Sequence, residues 1–257
     1  MSKVNVETKD RVRVVEIDRP EVRNAVDLET SWLLHDAFAE FDADPDVDVA
    51  VITGAGGHFC AGADLDALSG EVGERATSDG PGPMGPTRMQ LSKPVIAAVE
   101  GYAVAGGLEL ALWCDLRVAS ESAVFGVFCR RFGVPLIDGG TVRLPRLIGQ
   151  SRALDMILTG RGVEAREAET MGLTNRVVNE GSAVAASIDL AREIGAHPQG
   201  CMRNDRASVY AQWGLGTPAA LSVEFDLGMR TIETGETVAG AAAFQQGEGR
   251  HGSPRTP

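Results

Sequence analysis

Residues Asp48–Leu65 read DVAVITGAGGHFCAGADL. Asp48–Thr53 has the length and apolar content of a buried strand, and Gly54-Ala55-Gly56-Gly57 closes it. Upstream, Val12–Ile17 approximates strand alternation, and Arg19-Pro20 breaks it. Asp27 is placed to cap a helix from Leu28 to Asp42, with Leu34, Phe38 and Phe41 on its apolar face. Strand, helix, strand is the opening of an α/β domain.

Downstream, a short helix is expected after Asp64. Residues 69–87 are rich in Gly, Pro and charge, which predicts a loop, open to motion, and not a domain boundary. Strands follow at Pro94–Val99 and Leu116–Ala119, with an apolar helix at Gly107–Cys114 between them. Past Gly140 the pattern turns helical. Helices are expected at Ser151–Leu158, Glu164–Met171 and Ala183–Ile194, and a short strand at Asn175–Val178. Residues 1–195 read as an α/β core and 196–257 as a helical C-terminal region.

Bulk properties narrow the function. The chain has 257 residues, 44% hydrophobic and 23% charged, enough for a full-sized core and unlike a disordered chain. Its formal charge is -12, and no basic patch interleaves with aromatics, so nucleic-acid binding is not expected. An acidic chain can still hold an anionic ligand through backbone N–H groups and a few arginines. No run of 18 apolar residues would span a membrane, and no signal-peptide pattern opens the chain. Cys60, Cys114, Cys129 and Cys201 show no C-x-x-C spacing. Reduced thiols and a cytoplasmic setting are the default expectations.

The dinucleotide fingerprint fails, because Phe59 stands where the third glycine belongs. P-loop, H-E-x-x-H and G-x-S-x-G patterns are absent, and His35, His58, His197 and His251 lack metal spacing, so no metal is expected.

Two segments carry chemistry: His58–Leu65 and Glu100–Ala111 (EGYAVAGGLELA). Each puts small residues where a strand gives way to a helix, a junction that leaves backbone N–H groups without helical acceptors. Two such junctions face to face would make a two-donor oxyanion hole. Glu109 follows Gly106-Gly107 in a helix apolar nearly all round, so it is buried. A buried carboxylate is costly unless paired or used. An arginine partner, a favourable first-turn position on the helix dipole and a catalytic role all fit this pattern.

Cys60–Leu65 resembles the C-A-G-A-D-L signature of the crotonase superfamily, the enoyl-CoA hydratase/isomerase family. Gly101–Ala111 resembles its second signature, with Ala105 in place of a glycine. Arg19-Pro20-Glu21-Val22-Arg23-Asn24-Ala25 is similar to its R-P-E-x-R-N-A turn, and Phe125-Gly126 and Gly139-Gly140-Thr141 fit later segments. The resemblance covers about residues 10–180 and weakens beyond. It implies a spiral of ββα units with a helical C-terminal region, assembled as a homotrimer or hexamer. It implies an acyl-CoA substrate and no separate cofactor, coenzyme A being part of the substrate. By position, Ala63 and Gly106 are the oxyanion donors, and Arg23, Ala25, Ala61, Asp64 and Leu65 hold coenzyme A. Glu109 matches the first of two glutamates that hydratases use on water.

The second glutamate is missing: counting along the later segments puts Cys129 at its place. Asp138 is the candidate replacement, since dienoyl-CoA isomerases carry an acidic residue in the corresponding loop. A helix N-cap is the equal alternative for Asp138. Arg130 and Arg131 could lower the Cys129 pKa, face solvent, or grip Asp138 or a phosphate. The expected reaction is hydration of a 2-enoyl-CoA, a lyase step of the kind used in fatty acid metabolism. Glu109 would deprotonate the water, and Asp138 or water would serve C2. The alternatives are another crotonase reaction on an acyl-CoA (isomerase, decarboxylase or thioesterase) or a coenzyme A-binding protein with weak catalysis.

Overall fold

The computed structural model describes residues 2–65 and 79–249. Its larger sheet has six strands in the order β1-β2-β3-β4-β6-β9: Val4–Lys9, Val12–Ile17, Val49–Gly54, Val95–Val99, Leu116–Ser120 and Arg176–Val178. β1 and β2 run antiparallel, and every other neighbouring pair is parallel. The interior strands β3 and β4 are buried almost without a break. That explains their continuous apolar sequence, because a parallel sheet has no wet face. A second sheet, in the order β5-β7-β8, comprises Tyr102–Val104, Val124–Gly126 and Gly162–Glu164.

The two sheets are linked by a repeating step. β4 lies in the large sheet, β5 in the small one, and helix α2 (Gly106–Trp113) follows; β6 and β7 repeat the pair, and helix α3 (Gly140–Ile148) comes after them. An earlier turn begins the same way: after β3, Cys60 makes a parallel bridge to Ala103 of β5, and Leu65 opens a helical turn. The expected ββα spiral is therefore present. Beyond Leu65 the expected helix lies outside the described residues, as do residues 69–78 of the expected loop.

Helix α1 (Leu28–Ala43) starts where Asp27 accepts the Thr30 N–H at 2.8 Å, the cap the sequence indicated. Its Leu34, Phe38 and Phe41 are fully buried, and Phe38 meets Trp113 of α2 edge-on at 4.8 Å. Helices α4 (Gln150–Thr159), α5 (Ala165–Met171) and α6 (Ala183–Gly195) complete the expected order. Three features went unread in sequence: strand β1, the three short strands of the second sheet, and the 3-10 turn Phe128–Phe132.

The chain divides into two compact units, residues 1–191 and 192–257. In the second, helices α7 (Gln199–Ala211), α8 (Thr217–Glu233) and α9 (Glu236–Gln245) hold together partly through polar contacts. The Glu236 carboxylate accepts the Gly200 and Cys201 N–H groups at 3.1 and 2.6 Å, and Asn204 donates to Thr231 at 2.8 Å. Tyr210, Trp213, Leu221, Phe225 and Val238 remain exposed. No described helix is long and apolar enough to cross a membrane.

Candidate active site

The site forms where the turn after β2 locks onto the loop after β3. Arg23 and Asn24 both adopt left-handed backbone, with φ of 50° and 58°. This turns the Asn24 amide inward, where it donates to the Ala55 and His58 carbonyls at 2.8 and 2.6 Å. Arg19 reaches across to the Asp64 carboxylate at 2.8 Å and to the Ala25 carbonyl. Along the loop, Ala61 N donates to Arg23 O, Val26 N to Gly62 O, and Asp64 N to Val26 O, at 2.8–3.0 Å. The pairing alternates, so it skips the Ala63 N–H, which donates to nothing among the described residues.

The second junction leaves the same vacancy. Ala105 N donates to Gly126 O at 2.8 Å and Glu109 N to Ala105 O at 3.2 Å, while Gly106 N, in the first turn of α2, has no acceptor among the described residues. Ala105 makes the bend at φ 54°, ψ −126°, a conformation suited to glycine. The two junctions touch: a Cβ at Gly62 would lie 2.9 Å from Ala105 Cβ and 3.0 Å from Gly106 N. Ala63 and Gly106 line one cavity of about 230 Å³, together with Ala61, Asp64, Leu65, Glu109, Cys129 and Asp138. Its remaining wall is largely apolar, with Met84, Phe128, Phe132, Val134 and Ile137.

Glu109 is 2% exposed, and among the described residues no arginine forms an ion pair with it. Instead Oε1 accepts the N–H groups of Asp138 and Gly140 at 2.9 and 2.8 Å, which places it at the start of α3. Burial is the main force raising its pKa to about 7; the Asp138 charge adds to it, and the Gly140 N–H opposes it.

Asp138 is 3% exposed and does not cap α3, contrary to that alternative; the helix starts after Gly139 with no side-chain cap. The geometry favours another use of the carboxylate. Asp138 Oδ1 accepts the Met84 N–H at 3.0 Å and the Thr87 hydroxyl. Burial raises its pKa, against the Thr87 hydroxyl, the Met84 N–H and the charges of Arg88 and Arg143.

Cys129 lines the same cavity from the 3-10 turn. Burial and the neighbouring Glu109 charge push its thiol pKa up, so it is not an activated nucleophile. Arg130 and Arg131 do not grip Asp138. They donate to the Ile157 and Gly160 carbonyls, and the Arg131 guanidinium lies 3.8 Å over the Phe128 ring. Arg23 and Ala25 stand apart from the cavity lining. Arg23 is exposed, its guanidinium 5.9 Å from the Tyr102 ring, and Ala25 is buried beneath the Arg19 side chain. The Asp64 carboxylate is held by Arg19.

Sequence reasoning missed Met84, Thr87 and Arg143. Arg143 donates to the Asp138 carbonyl at 2.8 Å and to the Thr87 carbonyl at 2.6 Å, and Ser31 donates to Pro83 O at 2.6 Å. These bonds sew residues 83–87 onto the site. A threonine within a Gly- and Pro-rich stretch gives no sign of this in sequence. Among the described residues, no cluster of His, Cys, Asp and Glu could hold a metal ion.

Comparison with known proteins extends the reading. A family model described as enoyl-CoA hydratase/isomerase matches residues 7–250. An enoyl-CoA hydratase of Mycobacterium tuberculosis is 35% identical over 248 residues, 94% of this chain and 92% of its own length. A carnitinyl-CoA dehydratase of Salmonella typhi is 41% identical over 184 residues, 70% of this chain and 69% of its own. A crystal structure of enoyl-CoA hydratase from Mycobacterium tuberculosis superimposes with a TM-score of 0.90 at 36% identity, covering 95% of this chain and 96% of that one.

Proposed function

This chain belongs to the enoyl-CoA hydratase/isomerase family, and we propose that it adds water reversibly across the C2–C3 double bond of a 2-enoyl-CoA. The observation that carries the reading is one cavity holding two unengaged backbone N–H groups, Ala63 and Gly106, beside two buried carboxylates, Glu109 and Asp138. The thioester oxygen takes both N–H groups, and their stabilisation of the enolate is worth about 3 kcal/mol each. Glu109 and Asp138 form the acid–base pair: one takes a proton from the attacking water at C3, and the other gives one to C2. Asp138 thus stands in for the glutamate replaced by Cys129. The steps are addition of the water oxygen to C3 and two proton transfers, with no electron passed to or from an outside acceptor, so the reaction needs no cofactor.

Coenzyme A enters past Ala61 and Leu65, with Asp64 fixing the loop through Arg19. Arg23, exposed at the rim, offers a cation to its phosphates, and Ala25 supports that turn. The active form is a homotrimer or hexamer in the cytoplasm, assembled with the exposed apolar residues of α7–α9.

Isomerisation is the second reading, favoured by the position of Asp138 in place of the usual glutamate. Crotonyl-CoA and a 3-enoyl-CoA, each followed by ultraviolet absorbance of the conjugated thioester, separate the two. Loss of absorbance from crotonyl-CoA supports hydration. A gain from the 3-enoyl thioester with no loss from crotonyl-CoA overturns it.

A further inference from the structure

The two carboxylates of the pair are held differently. Glu109 Oε1 receives two backbone N–H groups, from Asp138 and Gly140. Asp138 Oδ1 receives one backbone N–H, from Met84, and one hydroxyl, from the fully buried Thr87. Arg143 binds the Asp138 and Thr87 carbonyls together, so hydroxyl and carboxylate cannot drift apart. Arg88 adds a second guanidinium on this side, donating to the Ile137 carbonyl at 3.0 Å. Among the described residues, the charged and titratable groups around Asp138 are Glu109, Arg88 and Arg143; around Glu109 they are Asp138, Arg143 and the Cys129 thiol.

We propose that the Thr87 hydroxyl is a positioning group that holds Asp138 as the ionised member of the pair, so that the pair's single proton rests on Glu109. A donated hydroxyl favours the charged form of a carboxylate, and so do nearby guanidinium groups. Two neighbouring buried carboxylates do not ionise together, so fixing one charge assigns the proton to the other. Burial raises the pKa of both carboxyls, and at Asp138 the Thr87 hydroxyl is the foremost contact opposing that rise.

The inference rests on the reading that this pair moves protons, and it reverses the roles that sequence position suggested. In hydration, the water oxygen bonds to C3 and its proton passes to Asp138. The π electrons become the enolate, whose C2 takes the proton of Glu109. Transfer of the new proton from Asp138 to Glu109 restores the starting state.

The test is the pH dependence of kcat/KM for crotonyl-CoA in the wild type, Thr87→Val and Thr87→Ser. With one proton shared, the wild-type profile is a bell. Removing the hydroxyl makes Asp138 easier to protonate, so the acid limb of Thr87→Val moves up by about one pH unit while the alkaline limb stays. Thr87→Ser keeps a donor and restores the wild-type acid limb. If Thr87→Val does not fold, Thr87→Ala makes the same comparison. Movement of the alkaline limb alone would place the proton on Asp138 and overturn the assignment. Two unmoved limbs, or no rescue by Thr87→Ser, would overturn the positioning role. A flat wild-type profile together with full turnover by Asp138→Asn would instead sink the acid–base pair itself, and this inference with it.

Discussion

Replacing Glu109 by glutamine tests the site through stability as well as rate. Gln keeps an oxygen in position to accept the Asp138 and Gly140 N–H groups, so neither backbone donor loses its acceptor. What it removes is a buried titrating carboxyl. Burial, joined by the Asp138 charge, raises the Glu109 pKa from 4.5 to about 7. Below 4.5 the folded and unfolded chains both hold the proton, and Glu109 costs nothing. As pH rises through the window to about 7, only the folded chain keeps it, and stability declines. Above the window the full penalty is present. A gap of roughly 2.5 pH units at 1.36 kcal/mol each gives about 3 kcal/mol. Glu109→Gln should therefore be more stable than wild type by about 3 kcal/mol near pH 8, raising Tm by roughly 6–12 °C, and nearly equal to it near pH 4.5. Hydration of crotonyl-CoA should fall by roughly 100-fold or more. Thermal and urea melts at the two pH values, with turnover at the higher, provide the assay. A variant less stable than wild type near pH 8, or a stability difference that ignores pH, would refute the buried-acid argument.

Asp138→Asn should lower kcat by roughly 100-fold or more while leaving Tm within a few degrees, because Asn can accept the Met84 and Thr87 donors but cannot exchange the proton. The same variant should lower the pKa of Glu109, which loses a neighbouring negative charge; pH titration of the variant's stability would show it. Ala105→Gly should stabilise the chain by about 1 kcal/mol net, since φ 54° with ψ −126° strains alanine by more than the added freedom of unfolded glycine costs; a urea melt measures it. Light scattering at micromolar concentration should find a trimer or hexamer, and a fully active stable monomer would count against the assembly.

The parts of the fold most legible in sequence were those with long periods or unambiguous runs. Val49–Ile52 and Val95–Val99 are interior strands and apolar throughout, and α1 shows its cap and its aromatic face. β1 was invisible because Val4 is its single buried residue, so VNVETK carries no inward stripe. The strands of the second sheet have three residues each, too few to display a period of two. In the site, residues joined to glycine-rich junctions could be placed from sequence, and Ala63, Gly106 and Glu109 do converge. Whether Asp138 caps a helix could not be read there. An Asp before Gly-Gly-Thr suits a cap, and the partners that turn it elsewhere, Met84 and Thr87, lie more than 50 residues earlier.

The large sheet has one more property, visible in its strand order. From β1 to β9 the spatial sequence never reverses: each strand lies beside one made before it, and none has to be inserted between two already paired. A chain leaving the ribosome N-terminus first can therefore lay this sheet down in the order of its translation, starting from the local β1–β2 hairpin. Every later strand meets an edge that is already waiting. The growing edge is also the one open to wrong partners, and it is finished by β9, three residues long, with a charged Arg176 exposed at its start. Synthesis thus ends this sheet on a short, charged border, poorly suited to recruiting a strand from another molecule.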